Sequence, residues 1–205
     1  GVVHVAWTRS GYPTGGPPAL HMRIDKPELP TSNINVRRAL NIATDKQTIL
    51  RDFYGGNGEL LAYPIMPIPE FMDMYTPLDK MPESVQELYR YDPDRAKQLL
   101  AEAGYPDGFK ASVVCYSAQV DLLSIVQAMW ADIGVDLEIQ VKEYGVYQAM
   151  GNNRNHPDMY MEAVNAASPE QFSRERAGNL NNYSIINDPR IEETYAAVTA
   201  NYFDE

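Results

Sequence analysis

The chain has 205 residues, 44% of them hydrophobic, and carries 17 Lys+Arg against 28 Asp+Glu for a net charge of −11. That size and apolar content suit one globular domain and exclude a disordered chain, while the acidic balance repels a phosphate backbone and an anionic membrane surface alike. The lone cysteine, Cys115, excludes an intrachain disulfide, and no run approaches the roughly 18 apolar residues of a membrane span.

The first stretch, "GVVHVAWTRSGYPTGGPPALH", lacks the basic-then-apolar order of a signal peptide. Within it and just beyond, "VVHVAW" and "ALHMRID" predict strands on either side of a loop over "SGYPTGGPP". "NINVRRALNIATDKQTILRDFY" predicts helix: Asn33 or Asn35 can cap it, Val36, Ala39, Leu40 and Ala43 form an apolar stripe, and Asp45 can cap a second short helix reaching Phe53. Pro64, Pro67, Pro69 and Pro77 then argue for an ordered extended loop. In "YDPDRAKQLLAEAGYPDGF", Asp92 is placed to cap a helix opened by Pro93, and Ala96, Leu99, Leu100 and Ala103 make its buried stripe. Gly104 stops it.

Beyond that helix the pattern becomes regular. "KASVVCYS" predicts a strand covered on both faces, and Cys115 within it reads as a small buried hydrophobe. "QVDLLSIVQAMWADIG" puts Leu122, Val126, Met129 and Ile133 on one helical face, and "VDLEIQV" alternates as a strand with one wetter side. A helix from about Glu143 to Met150 and a strand "DMYMEAV" complete a β-α-β-α-β series, hence a mainly parallel sheet containing 110–116, 135–141 and 158–163 with helices on both faces. Ser168-Pro169 and Asp188-Pro189 each open a further helix.

Candidate chemistry is sparse. His4, His21 and His156 show no ligand spacing, so no metal is expected and they read as ordinary surface or strand residues. There is no nucleophile motif, phosphate loop or dinucleotide fingerprint, and "GGNG" at 55–58 reads as a loop. Glu83, Glu87, Asp92 and Asp94 read as solvated faces and caps, not as an acid/base pair. These patterns point to no enzyme and no cofactor. The 14 tyrosines suit ligand clefts as well as half-buried surfaces.

Taken together, "VRRALNIATDK", "AYPIMP", "YDPDRAKQLLAEAGYPDGF", "MWADIGVDLEIQVKEYGVY" and "NYSIINDPRIEETY" resemble the family 5 extracellular solute-binding proteins, receptors of ABC importers of the oligopeptide, dipeptide and nickel type. The resemblance implies an α/β lobe of type II periplasmic-binding-protein architecture, with the chain forming the second of two lobes and residues 1–30 part of the hinge approach. The first lobe and signal peptide would lie outside it. It further implies a small solute or peptide held between lobes, a membrane permease as partner, an extracytoplasmic location, and neither nucleic acid nor membrane insertion. A ligand-sensing domain of a transcriptional regulator and a cleft hydrolase are the alternative functions.

Site residues follow from the same resemblance. The family's Trp-x-x-Asp segment falls on Val164, Asn165, Ala166 and Ala167, whose backbone can still pair with an extended ligand although both the Trp and the Asp are missing. That substitution implies a solute without an essential free amino terminus. Arg23, near the hinge, reads either as a cleft arginine for carboxylate or phosphate or as a solvated arginine on an exposed strand. Tyr63 in "AYPIMP" and Tyr183 in "NYSIINDPRIEETY" complete the expected ligand wall.

Overall fold

The structure is a computed structural model that describes residues 2–4, 7–8, 18–60, 67, 69–163 and 173–201. The loop expected between the first strands, the helix expected at Ser168-Pro169, Tyr63 and Val164 to Ala167 lie outside those residues.

The N-terminal part forms three strands, β1 (Val2–His4), β2 (Trp7–Thr8) and β3 (Pro18–Met22). Helix α1 (Ile34–Ile42) starts at Asn33, whose side chain accepts from the Asn35 N–H, and it buries Val36, Ala39, Leu40 and Ala43 as its spacing requires. Asp45 caps α2 (Lys46–Thr48) through the Thr48 N–H, and a π-helical turn carries the chain on through Phe53. A two-residue strand β4 (Gly58–Glu59) pairs with β2. The proline-rich stretch leads to the short α3 (Glu83–Gln86).

Helix α4 (Pro93–Glu102) is framed as its sequence dictates. Asp92 accepts from the Arg95 N–H at 2.8 Å, and Gly104 follows with φ +93°. The Asp92 N–H also reaches the Ile42 carbonyl at 2.9 Å, which ties the start of α4 to the end of α1. Lys46 fastens the same corner from inside, donating to the Asn41 and Leu88 carbonyls at 2.6 and 3.0 Å. Because it is almost wholly buried, its pKa falls to about 7.

The remaining elements are β5 (Phe109–Cys115), α5 (Val120–Ala131), β6 (Val135–Val141), α6 (Tyr144–Asn152), β7 (Met159–Ala163) and α7 (Pro189–Asn201). Among the described residues five strands form one sheet in the order β1-β3-β7-β5-β6. The three strands of the β-α-β-α-β series are parallel, with β5 between β6 and β7, as the helical crossovers demand. Strand β3 joins β7 antiparallel and β1 joins β3 antiparallel, so the sheet is mixed at its N-terminal side.

Alternation sorts the side chains between two faces. Leu20, Met22, Val113, Cys115, Leu137, Met159 and Met161 point into one core with α1, α4 and α5. Val114 and Tyr160 point the other way, where α6 supplies Tyr147. Trp130 is the anchor of the first core: it is fully buried, and its indole N–H lies 3.0 Å from Thr44 Oγ1 and 3.2 Å from the Leu40 carbonyl. Cys115 is a buried thiol, pushed up in pKa by that burial. His21 is a strand histidine on β3, as one of the two expected readings has it, and is buried; His156 is neither on the surface nor in a strand but fully buried, which corrects the expectation for it.

Strands β5 and β6 begin at a backbone crossing. Gly108 and Gly134 have φ of +78° and +85°, and a Cβ on Gly108 would lie 1.9 Å from the Gly134 carbonyl oxygen. Only glycine fits there.

Candidate functional site

Opposite that crossing, the three parallel strands end at Cys115, Val141 and Ala163. In open α/β sheets ligands collect beyond the carboxyl ends of the strands, because the loops there diverge and leave a crevice. Gln119 fixes this edge. It accepts from the Tyr116 N–H at 3.2 Å and donates to the Met161 carbonyl at 3.2 Å, so the ends of β5 and β7 are joined through one side chain.

An aromatic ladder backs the edge. Tyr144 and Tyr147 stack at 5.9 Å, Tyr147 and Tyr160 at 4.6 Å with planes 12° apart, and Tyr160 then meets Tyr183 at 4.7 Å. Tyr116 closes the group, 5.2 Å from Tyr144 and 5.0 Å from Tyr147. The sequence makes this possible at Gly151, where a Cβ would lie 2.6 Å from the Tyr160 hydroxyl. Its absence lets the ring slide beneath α6.

Glu162 meets the ladder at Tyr147, one ring in from the exposed Tyr144, on the same face of β7 as Tyr160 two residues earlier. Tyr147 Oη lies 2.7 Å from Glu162 Oε2 and 2.6 Å from the Met161 carbonyl, so one hydroxyl proton serves two acceptors. Burial raises the Glu162 pKa, against the Tyr147 hydrogen bond and the positive field of Arg174. Burial also raises the Tyr147 pKa, and the Glu162 charge adds to it. Beside these groups Val141, Tyr144 and Val146 are each about half exposed, at 49%, 54% and 51%. Glu143 is occupied as the cap of α6, accepting from the Gly145 and Val146 N–H groups.

The two described residues named from sequence lie behind this wall. Arg23 is 8% exposed, and its guanidinium holds Asp25 through two bonds of 2.9 and 2.7 Å while donating to the His156 and Arg154 carbonyls at 2.9 and 3.2 Å. The reading as a solvated arginine on an exposed strand is therefore corrected: these acceptors draw the side chain inside, where it braces the 154–156 turn against the end of β3. Tyr183 is 6% exposed, with its hydroxyl 3.2 Å from Asn181 Oδ1 and its carbonyl 2.9 Å from His156 Nε2, so it forms the inner end of the ladder. Sequence reasoning missed Tyr116, Tyr144, Tyr147, Tyr160 and Glu162. A signal existed: Tyr144 and Tyr147 are i, i+3 on a helix, and Tyr160 and Glu162 are i, i+2 on a strand.

Elsewhere, a hollow of about 650 Å³ over the beginnings of β5 and β6 is lined by Lys110, Ser112, Asp136, Glu138 and Asp158. There Asp158 already accepts from Ser112 through both N–H and hydroxyl at 2.7 Å, so this is a wet sheet face with a satisfied acid. Among the described residues, no group of three His, Cys, Asp or Glu side chains is placed to hold a metal ion, and no helix is long and apolar enough to cross a membrane.

The mixed sheet with helices on both faces is of the type II periplasmic-binding-protein class, as its match to solved structures of that class shows. HbpA2 from Haemophilus parasuis superposes with a TM-score of 0.71 at 24% identity, covering 97% of this chain and 38% of that one. DppA from Helicobacter pylori, solved in complex with the peptide STSA, gives 0.70 at 25% identity, covering 88% and 35%. The family model described as bacterial extracellular solute-binding proteins, family 5 middle, matches residues 5–178, and the chain belongs to that family. Heme-binding protein A of Haemophilus influenzae is 34% identical over 126 residues, 58% of this chain and 21% of that protein. The dipeptide-binding protein of Escherichia coli is 32% identical over 139 residues, 64% and 24%. The chain thus spans between a fifth and a quarter of the length of these curated relatives.

Proposed function

We propose that this chain is the second lobe of a receptor that captures a small solute outside the cytoplasmic membrane and hands it to an ABC permease, with no chemistry of its own. Family membership places it among binding proteins, and the observation that carries the reading is the open edge at Val141, Tyr144 and Val146. Three large apolar side chains stand about half exposed around the strand ends, where a ligand and an opposing wall would cover them. The backbone of Val164 to Ala167, following β7, pairs with the solute in this reading, and Tyr63 belongs to the same wall. Arg23 and Tyr183 serve as supports behind it.

The reading is tested on the intact protein that carries this chain. Native mass spectrometry of the freshly purified protein is expected to show a bound small solute, and calorimetry is expected to give much weaker binding of that solute to residues 1–205 alone, since one wall exposes roughly half the ligand surface. Equal affinity in both would place the site wholly in this lobe. Turnover of the solute would overturn the receptor reading in favour of an enzyme.

A further inference from the structure

We infer that Asn57 is a site of covalent modification, at which the backbone nitrogen of Gly58 closes on the Asn57 side chain and converts the asparagine to aspartate and β-linked isoaspartate. The chemistry starts from "GGNG" at 55–58, which the receptor reading does not use. Asn57 is the one asparagine in the sequence that precedes a glycine, and a glycine nitrogen is the least shielded nucleophile of the backbone, because no Cβ stands beside it. The Gly58 nitrogen loses its proton to base and bonds to Asn57 Cγ, the Cγ–Nδ2 bond breaks, and Nδ2 leaves as ammonia. Water then opens the cyclic imide at either carbonyl, so a water enters and an ammonia departs with no other reactant. This is chemistry that makes asparagine thermolabile.

The turn is open to this reaction. Gly55 and Gly56 stand at φ +61° and +75°, and a Cβ on Gly56 would meet nothing within 4 Å, so the turn lies clear of packed neighbours. Asn57 is exposed, and among the described residues its side-chain amide meets no hydrogen-bond partner. The Gly58 N–H is held by the Gly56 carbonyl at 3.1 Å, a bond inside the turn that can break without disturbing the core. Asp107-Gly108 shows the contrast. It is the one Asp-Gly pair in the sequence and can form the same imide, yet Gly108 is pinned against the Gly134 carbonyl at the crossing and its N–H is bound to the Tyr105 carbonyl at 3.1 Å. At Asn57 the product adds a negative charge next to Glu59, and the β linkage inserts an extra backbone atom just before β4, whose register sets Gly58 opposite Thr8 and Glu59 opposite Trp7. That register is lost in the β-linked form.

The test incubates the intact protein in warm, mildly alkaline buffer and follows it by peptide mapping with mass spectrometry, using isoaspartyl methyltransferase to label the β-linked product. The peptide containing Asn57 is expected to convert before any other asparagine peptide and to be methylated by the enzyme. The Asp107-Gly108 peptide is expected to stay unlabelled in the folded protein and to react once urea unfolds it. Gly58→Ala, at a strand position outside the left-handed region, is expected to slow the conversion about tenfold or more. Asn57→Gln, at the exposed neighbour, enlarges the ring that must close and is expected to abolish labelling at this turn. Persistence of Asn57 while other asparagines convert, conversion to aspartate with no β-linked product, or an unchanged rate in a folded Gly58→Ala protein overturns the site. Equal labelling at Asp107 in the folded protein would show that the fold plays no part in the choice, and overturns it likewise.

Discussion

Acidification should weaken this fold through one residue, His156. Its ring is fully buried, Nε2 donates to the Tyr183 carbonyl at 2.9 Å, and Nδ1 meets no hydrogen-bond partner. Burial, reinforced by the Arg23 guanidinium and by Lys26, lowers its pKa to about 4 from 6.5, against the opposing pulls of the Tyr183 carbonyl and Asp25. Above pH 6.5 neither the folded nor the unfolded chain binds the proton, and stability is complete. Between 6.5 and about 4 the unfolded chain takes the proton first, so stability falls as pH falls. The full loss is about 3 kcal/mol, and most of it has gone by pH 4.5. Glu162 and Glu175 act with opposite sign over the same range, because burial raises their pKa and the folded state binds their protons first. The His156→Gln variant, which keeps a donor for Tyr183, isolates the histidine. Urea unfolding at pH 7.5 and 4.5 should show wild type losing about 2–3 kcal/mol more than the variant. A difference below about 1 kcal/mol would refute the buried neutral imidazole.

Other substitutions probe the rest of the architecture. Gly108→Ala must place a Cβ 1.9 Å from the Gly134 carbonyl at φ +78°, and is expected to cost at least about 3 kcal/mol; a melting temperature within a few degrees of wild type would contradict the crossing. Trp130→Phe removes the indole donor from Thr44 and Leu40 and leaves space in the core, with an expected loss of about 2–3 kcal/mol in denaturant unfolding. Arg23→Met strips Asp25 of its partner and should destabilise by about 2–4 kcal/mol while leaving solute affinity at permissive temperature unchanged. A stable variant with lost affinity would return Arg23 to the cleft.

Much of the fold was legible because local rules and tertiary packing agree. The Asn33, Asp45 and Asp92 caps, the α1 and α4 stripes and the alternation of β6 each appear where their spacing placed them. The antiparallel partner of β7 was less legible. Strand β3 arrives from far away in sequence, and nothing in "ALHMRID" encodes its direction. The wall was harder still. Arg23 reads as exposed because its acceptors, the carbonyls of Arg154 and His156, are set by a turn some 130 residues away. Glu162 was hidden by its apolar neighbours: an acid near the end of "DMYMEAV" looks like the wet side of a strand until α6 covers that face with tyrosine rings.

The stacked ladder has an optical consequence. Rings 4.6 Å apart and 12° from parallel, as Tyr147 and Tyr160 are, hold each other in a fixed chiral arrangement that makes their electronic transitions optically active, and Tyr144 extends the stack to an exposed ring. Near-ultraviolet circular dichroism of this chain should therefore carry an intense tyrosine band whose shape depends on the orientation of the outermost ring. Anything that settles on Tyr144 or Tyr116 turns that ring and alters the whole band, so the molecule carries a built-in chromophore for occupancy at its edge, with no label attached.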